Sequence, residues 1–137
     1  DVCSSDLFEG KGACTNCHRV NGKGSRAAPD LSDIGAIRNP EVLVKTLADP
    51  ATAVLPINRT IRAVTRSGKT YIGRRLNEDT YSVQLMTNDE HLVSLVKSDL
   101  KEFTVTKTSS MPSYKNELTS SEMDDLVAYL RTLKGVR

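Results

Sequence analysis

Cys14-Thr15-Asn16-Cys17-His18 is the stretch of this sequence that decides its fold. Two thiols and an imidazole fall within five residues, a spacing that suits covalent attachment of a c-type haem. The two cysteines would add to the porphyrin vinyl groups, and the adjacent histidine would bind the iron. We therefore predict one covalently bound haem c, with Cys14 and Cys17 as its anchors and His18 as the proximal ligand.

Two other uses of such a pentad fit the rest of the chain less well. A structural zinc site needs four ligands, and the sequence has no second Cys-x-x-Cys or His pair at the usual spacing. A thioredoxin-like redox pair follows a buried strand, and no strand pattern precedes Cys14. Haem attachment is the interpretation that we carry forward.

Composition narrows the class of protein further. The chain has 137 residues, enough for one domain, but only 4% of them are aromatic and Trp is absent. A buried haem would supply much of the missing apolar surface. The net charge of +2, with no basic run, does not favour nucleic acid as a partner, and no apolar stretch is long enough to cross a bilayer.

The first seven residues resemble the translation of a sequencing adapter, which identifies residues 1–7 as an expected artefact of a gene fragment. Cys3 would then not be native; otherwise it is a thiol able to pair with another molecule. The native domain is predicted to span residues 8–137. The signal peptide of an exported protein is expected to be missing from such a fragment.

Helical patterns stand on both sides of a block of strands. A helix is predicted from about residue 4 to residue 17, with Gly10 and Gly12 where the backbone closely approaches another helix or the porphyrin. A second helix is predicted over Asn39–Ala48, with Asn39 as N-cap and a proline in the first turn. A capping box at Thr119–Glu122 begins a final helix with apolar residues at helical spacing.

Between about residues 59 and 106 the hydrophobic period changes from helical to two, which predicts five short antiparallel strands. Turns are predicted at Ser67-Gly68, Asn77–Asp79 and Asn88–Glu90. So many short strands favour a small barrel that closes its own edges. The predicted architecture is mainly α, with an antiparallel β-barrel-like insertion, and α+β overall.

Met111 is the predicted sixth ligand of the iron, because a thioether stabilises the ferrous state of an electron carrier. It lies in a polar loop, and the proline that follows it restrains the local backbone. Met123 lies on the apolar stripe of the final helix and is expected to pack. Met86 lies within a strand and is expected either to pack between the strands and the helices or to be exposed. His91 follows an acidic turn and is expected to be solvated.

His18 needs a fixed acceptor for its second ring nitrogen, and the Pro29 carbonyl is the predicted partner. Leu31, Ile34 and Ile37 follow closely in the sequence. We expect these three apolar side chains to line the haem pocket and exclude water from the iron.

These landmarks together resemble the class I cytochromes c, over residues from about 4 to 56 and from about 108 to 137. The resemblance implies a cytochrome c fold in which Tyr129 and Leu130 of the last helix pack against Phe8 and the glycines of the first. Ala28 departs from the pattern, because cytochromes commonly carry Gly before the loop proline.

Three further segments, Gly73–Tyr81, Lys97–Leu100 and Met111–Tyr114, are similar to the haem-binding domain named for Pirellula and Verrucomicrobium. That resemblance implies a periplasmic carrier that takes electrons from a fused or partner dehydrogenase and passes them to a respiratory acceptor. We predict that the strand block docks a partner or shields one haem edge, with Arg74 and Arg75 available to an acidic partner.

Two alternatives remain open. A haem enzyme or a gas or redox sensor would let Met111 leave the iron. A binding module would use the strands, although these lack the stacked aromatic side chains of single-strand binders.

Overall fold

The computed structural model describes residues 2–53, 58–107 and 109–135, without the side chains of residues 2–4 and 53. The described helices are α1 (Val2–Glu9), α2 (Ile34–Ile37), α3 (Pro40–Ala48), α4 (Pro50–Ala53) and α5 (Ser120–Thr132). Short 3-10 turns occur at Cys14–Asn16 and Lys97–Asp99. Among the helices described, none is long and apolar enough to cross a membrane.

The strands form two antiparallel sheets. The first is a hairpin of β1 (Arg19–Val20) and β2 (Lys23–Gly24), directly after the pentad. The second contains β3 (Thr60–Thr65), β4 (Thr70–Glu78), β5 (Ser82–Thr87), β6 (Leu92–Val96) and β7 (Leu100–Val105). Its strand order is β6-β5-β4-β3-β7. We call residues 60–105 the strand block.

The first helix ends earlier than the sequence predicts. α1 stops at Glu9, and the N–H groups of Gly10 and Gly12 close its end with hydrogen bonds of 2.7 Å each to carbonyls of the preceding turn. A Cβ atom on Gly12 would lie 2.8 Å from one of those carbonyl oxygens. Ala13 then takes a left-handed conformation with φ of 49°, which a continuing helix does not allow. The two glycines therefore allow the tight turn that ends α1. The prediction of a helix that continues to residue 17 is wrong.

The predicted starts of the other two long helices are confirmed. The Asn39 side chain accepts a hydrogen bond of 2.9 Å from the Val42 N–H, and Pro40 opens α3. Both hydrogen bonds of the Thr119–Glu122 capping box form at the start of α5. These side chains satisfy N–H groups that the first helical turn leaves without intrahelical acceptors.

The helices pack around one hydrophobic cluster, in which α5 contacts α1. The rings of Phe8 and Tyr129 lie 5.4 Å apart between centroids, so the predicted contact between the two helices is confirmed. Gly35 of α2 meets the end of α5 so closely that a Cβ atom would lie 2.4 Å from the Arg131 carbonyl oxygen. The Gly35 N–H also donates to the Leu133 carbonyl at 2.7 Å.

The strand block has a separate hydrophobic cluster on one face of its sheet. The cluster consists of buried apolar side chains from four of the strands, namely Ile61, Ala63, Val83, Leu85, Leu95 and Leu100. The Ser67-Gly68 turn forms as predicted. The predicted turn at Asn77–Asp79 is wrong at its start, because β4 continues to Glu78 across a register shift and pairs Glu78 with Val83.

The sheet of the strand block is curled. The chain passes from edge strand β6 to the opposite edge strand β7 through the single turn Lys97–Asp99. In a flat sheet the two edges would be four strand spacings apart, roughly 19 Å. Four residues of extended chain span at most about 14 Å. The edges must therefore approach each other, although the described residues show no backbone ladder between β6 and β7 that would close the predicted barrel.

Candidate haem site

The pentad forms a tight turn that separates its two thiols. Cys14 begins the 3-10 turn and is buried, whereas Cys17 follows it and is exposed. Both are free thiols. Burial raises the pKa of the Cys14 thiol to about 11. The His18 N–H donates to the Cys14 carbonyl at 2.8 Å, which fixes the histidine directly after the turn.

His18 is held as its predicted role requires. Its Nδ1 atom lies 2.7 Å from the Pro29 carbonyl oxygen, so the predicted hydrogen bond is confirmed. A carbonyl can only accept, and Nδ1 therefore carries the proton while Nε2 presents a lone pair. Desolvation by burial lowers the pKa of His18, which favours the neutral imidazole that a metal ligand must be.

Ala28 does not disturb this loop. Its backbone is not among the positive-φ residues, and its N–H donates to the Cys17 carbonyl at 2.8 Å. The position where cytochromes commonly carry Gly thus needs no left-handed conformation in this chain. The Pro29 carbonyl is consequently free to face His18.

A cavity of about 240 Å³ is lined by both His18 and Met111. Its helical wall is mainly apolar and includes Pro29, Leu31, Ile34, Leu43, Leu47 and Leu130. Ile37, by contrast, is 63% exposed and does not line the cavity, so that prediction is wrong. It stands at the end of the one-turn helix α2, whose Gly35 is held against α5.

The cysteines stand outside this lining. His18 is the member of the pentad that reaches the cavity wall, and neither thiol does. The buried Cys14 packs instead in the helical cluster. The structure therefore brings together His18, Pro29, Leu31 and Met111, and it places both predicted anchors on the turn just before His18.

Hydrogen bonds fix the segment that carries Met111. The Met111 N–H donates to the Ser109 hydroxyl at 3.1 Å. Three residues further on, the Tyr114 N–H donates to the Leu47 carbonyl at 2.8 Å, and its hydroxyl donates to the Gly12 carbonyl. Met111 itself is partly buried against the helical cluster. Its loop is thus attached both to α3 and to the turn before the pentad.

The strand block contributes a second wall of the cavity. The sequence predicted that the block could shield one haem edge, but it did not identify the residues that form this wall. Thr60 of β3 and Ile72, Gly73 and Arg74 of β4 line the cavity. A Cβ atom on Gly73 would lie 2.4 Å from the Met86 carbonyl oxygen, so β4 and β5 approach closely only because this residue is glycine. A lone glycine inside an alternating strand pattern was the one sequence signal of this packing.

Arg74 and Arg75 do not form the free basic pair that the sequence predicts. Arg74 turns inward and donates from Nη2 to the Arg26 carbonyl at 3.1 Å and from Nε to the Ala27 carbonyl at 3.4 Å. Arg75 pairs with Glu78 at 2.6 Å. Successive residues of a strand face opposite sides, which sends the two guanidinium groups to different surroundings.

The remaining sequence candidates lie away from the cavity. His91 is 75% exposed beside Asp89, as expected for a solvated histidine. Met86 is buried, and Met123 is partly buried against the helical cluster, so both pack as expected. The side chain of Cys3 lies outside the described residues.

The residues around the cavity fit a haem. An imidazole whose Nε2 presents a lone pair lines a mainly apolar cavity, a thioether lines the same cavity, and a pair of thiols precedes the imidazole at the c-type spacing. These features define a site for a covalently attached haem.

Comparison with known proteins agrees with this assignment. The sequence profile of the cytochrome c family matches residues 5–79, more than half of the chain. The chain therefore belongs to the cytochrome c family. No curated protein matches it at a significant level. The matched range includes the pentad, the Pro29 loop and α3, and it ends before Met111 and α5.

Family membership establishes the coarse function. The chain binds covalently attached haem c and acts in haem-based electron transfer, with redox partners, rather than as a catalyst acting on a substrate. Cytochrome c domains are usually exported or periplasmic.

Proposed function

We propose that the protein is a mono-haem class I cytochrome c in which His18 and Met111 are the two axial ligands. The observation that carries this proposal is that both side chains line one cavity. Bound haem would supply a one-electron carrier whose potential a thioether ligand raises. Cys14 and Cys17 would hold it covalently, His18 would present Nε2, and Leu31 would exclude water.

The proposed fold is a mainly α cytochrome c fold with the strand block as an insertion at about residues 59–106. In this arrangement residues 8–137 form the domain. Support comes from the hydrophobic cluster shared by α1, α3 and α5, which contains no residue of the strand block. The insertion has its own cluster and therefore need not alter the helical packing.

Electron transfer with a retained thioether is favoured over the enzyme or sensor alternative by the attachment of the Met111 segment. Hydrogen bonds to α3 and to the Gly12 carbonyl oppose a swing of this segment away from His18. A retained thioether would suit an electron carrier, because it raises the potential of the haem.

The donor is proposed to be a dehydrogenase, either fused to this domain or separate, and the acceptor a respiratory protein of the periplasm. The basis is the similarity of three segments to the Pirellula and Verrucomicrobium type of haem-binding domain. An upstream reading frame that encodes a dehydrogenase would support this assignment.

The variant Met111→Ala tests the axial ligation. The oxidised holoprotein is expected to show a near-infrared methionine–iron charge-transfer band, and the variant is expected to lose it. Met123→Leu is the matched control, because Met123 packs on α5 and should leave the band unchanged. A band that persists in Met111→Ala would refute the assignment, as would fast, tight carbon monoxide binding by the reduced wild type.

A further inference from the structure

The cavity has an uneven distribution of charge. Among the described residues that line it, the ionised side chains are Arg38 of the loop after α2 and Arg74 of β4, and no Asp or Glu is present. Haem c carries two propionate carboxylates on one edge of an otherwise apolar ring. A carboxylate withdrawn from water needs a cationic, hydrogen-bonding partner. The cavity thus supplies a guanidinium group on the side of the strand block, from Arg74, and another on the helical side, from Arg38.

Arg74 is oriented for such a role. It lines the same cavity as His18, the proposed iron ligand, and desolvation lowers the pKa of its guanidinium group. Its contacts with the Arg26 and Ala27 carbonyls use two of its five N–H donors. Three donors therefore remain for a ligand, enough for the forked pairing that guanidinium forms with carboxylate.

The same contacts join the strand block to the loop between the pentad and Pro29. Besides Arg74, the Glu90 carboxylate accepts a hydrogen bond of 2.6 Å from the Arg26 N–H. Two side chains of the block thus hold one short segment of the haem loop. None of the ion pairs among the described residues joins Glu90 to Arg74.

We propose that Arg74 binds a haem propionate, and that this contact makes the cofactor a bridge between the strand block and the helical part. Arg74 is a positioning residue in this scheme, and Met111 ligation is not required for it. The inserted block would then belong to the haem site itself rather than serving only as a surface for a partner.

Resonance Raman spectroscopy of the holoprotein, together with its equilibrium reduction potential, tests the proposal. Arg74→Gln should shift the propionate bending mode, which reports hydrogen bonding to the carboxylate. It should also lower the potential, because a positive charge near the iron is removed. Arg75→Gln is the matched control: it removes the neighbouring charge on the other side of the strand, and it should leave the bending mode unchanged.

Several results would overturn the proposal. These are an unchanged propionate mode in Arg74→Gln, an equal shift in Arg75→Gln, or a shift in Arg38→Gln alone. If Arg74→Gln fails to mature with haem, Arg74→Lys decides, because an ammonium cannot form the forked pair and should still shift the mode. Failure of the Arg74 proposal would not affect the loss of the near-infrared band in Met111→Ala. A wrong assignment of Met111 would leave that band present in Met111→Ala, and it would not affect the propionate shift in Arg74→Gln.

Discussion

The hydrogen bond from the Tyr114 hydroxyl to the Gly12 carbonyl predicts how firmly Met111 is held. Tyr114→Phe removes this bond and leaves the ring in place. The net contribution of such a bond is about 1 kcal/mol, with an upper end of about 1.5 kcal/mol. Gly12 is buried, so the upper part of that range applies.

This free energy should act on the equilibrium between bound and released Met111. If the bond is lost whenever the segment swings out, its removal raises the released population roughly fivefold to tenfold. An external ligand binds only to the released form, and its apparent dissociation constant should fall by the same factor. Titration of the oxidised protein with imidazole, followed in the Soret band, measures that constant.

Tyr81→Phe provides the control, since Tyr81 is 78% exposed at the start of β5 in the strand block. It should bind imidazole as the wild type does. Wild-type affinity in Tyr114→Phe, accompanied by a lowered melting temperature, would show that the bond stabilises the fold without holding Met111. The reasoning would then be refuted even if Met111 is the ligand.

Two other predictions concern stability. Hydrogen bonds from Lys97 and then Arg75 hold the pKa of Glu78 below its usual range. The ionised Glu78 carboxylate therefore stabilises the strand block at pH values above its unfolded-state pKa. This stabilisation is lost as the pH falls through the lower pKa that Glu78 has in the folded protein. Glu78→Gln should therefore lower the melting temperature at neutral pH and lose less than the wild type does on acidification; an equal loss in both proteins would contradict this. The double variant Cys14→Ser/Cys17→Ser, unable to attach haem, should lose more helix than sheet in far-ultraviolet circular dichroism, because helical residues form much of the cavity wall while the sheet has a cluster of its own. Preserved helix in that variant would argue against a haem-dependent helical core.

Local signals in the sequence predicted the elements that depend on local chemistry. The caps at Asn39 and Thr119 are hydrogen bonds between near neighbours, and both form. The contact between His18 and Pro29 also spans only eleven residues and follows from the needs of a metal-binding imidazole. Such features can be derived from residue type and spacing alone.

Features that depend on tertiary packing could not be predicted from residue type and spacing alone. Ile34 and Ile37 are both isoleucines, so residue type does not distinguish them. Ile37 is exposed to solvent in a helix whose Gly35 is docked against α5. Arg74 and Arg75 have the same charge in sequence, but their strand positions give them different partners. The extension of β4 depends on a register shift that the pattern of apolar residues does not encode.

The way the strand block joins the chain explains how it can lie within a haem-binding fold. Its entry and exit are adjacent, because Ile61 pairs with Val105 and the Thr106 N–H donates to the Thr60 carbonyl at 2.9 Å. Helical segments on either side are therefore brought together as if by a short loop, and residues from both sides share one cluster. Thr60 also lines the cavity. The junction thus places the block against the candidate haem site, where it supplies a wall of the cavity and keeps a hydrophobic cluster of its own.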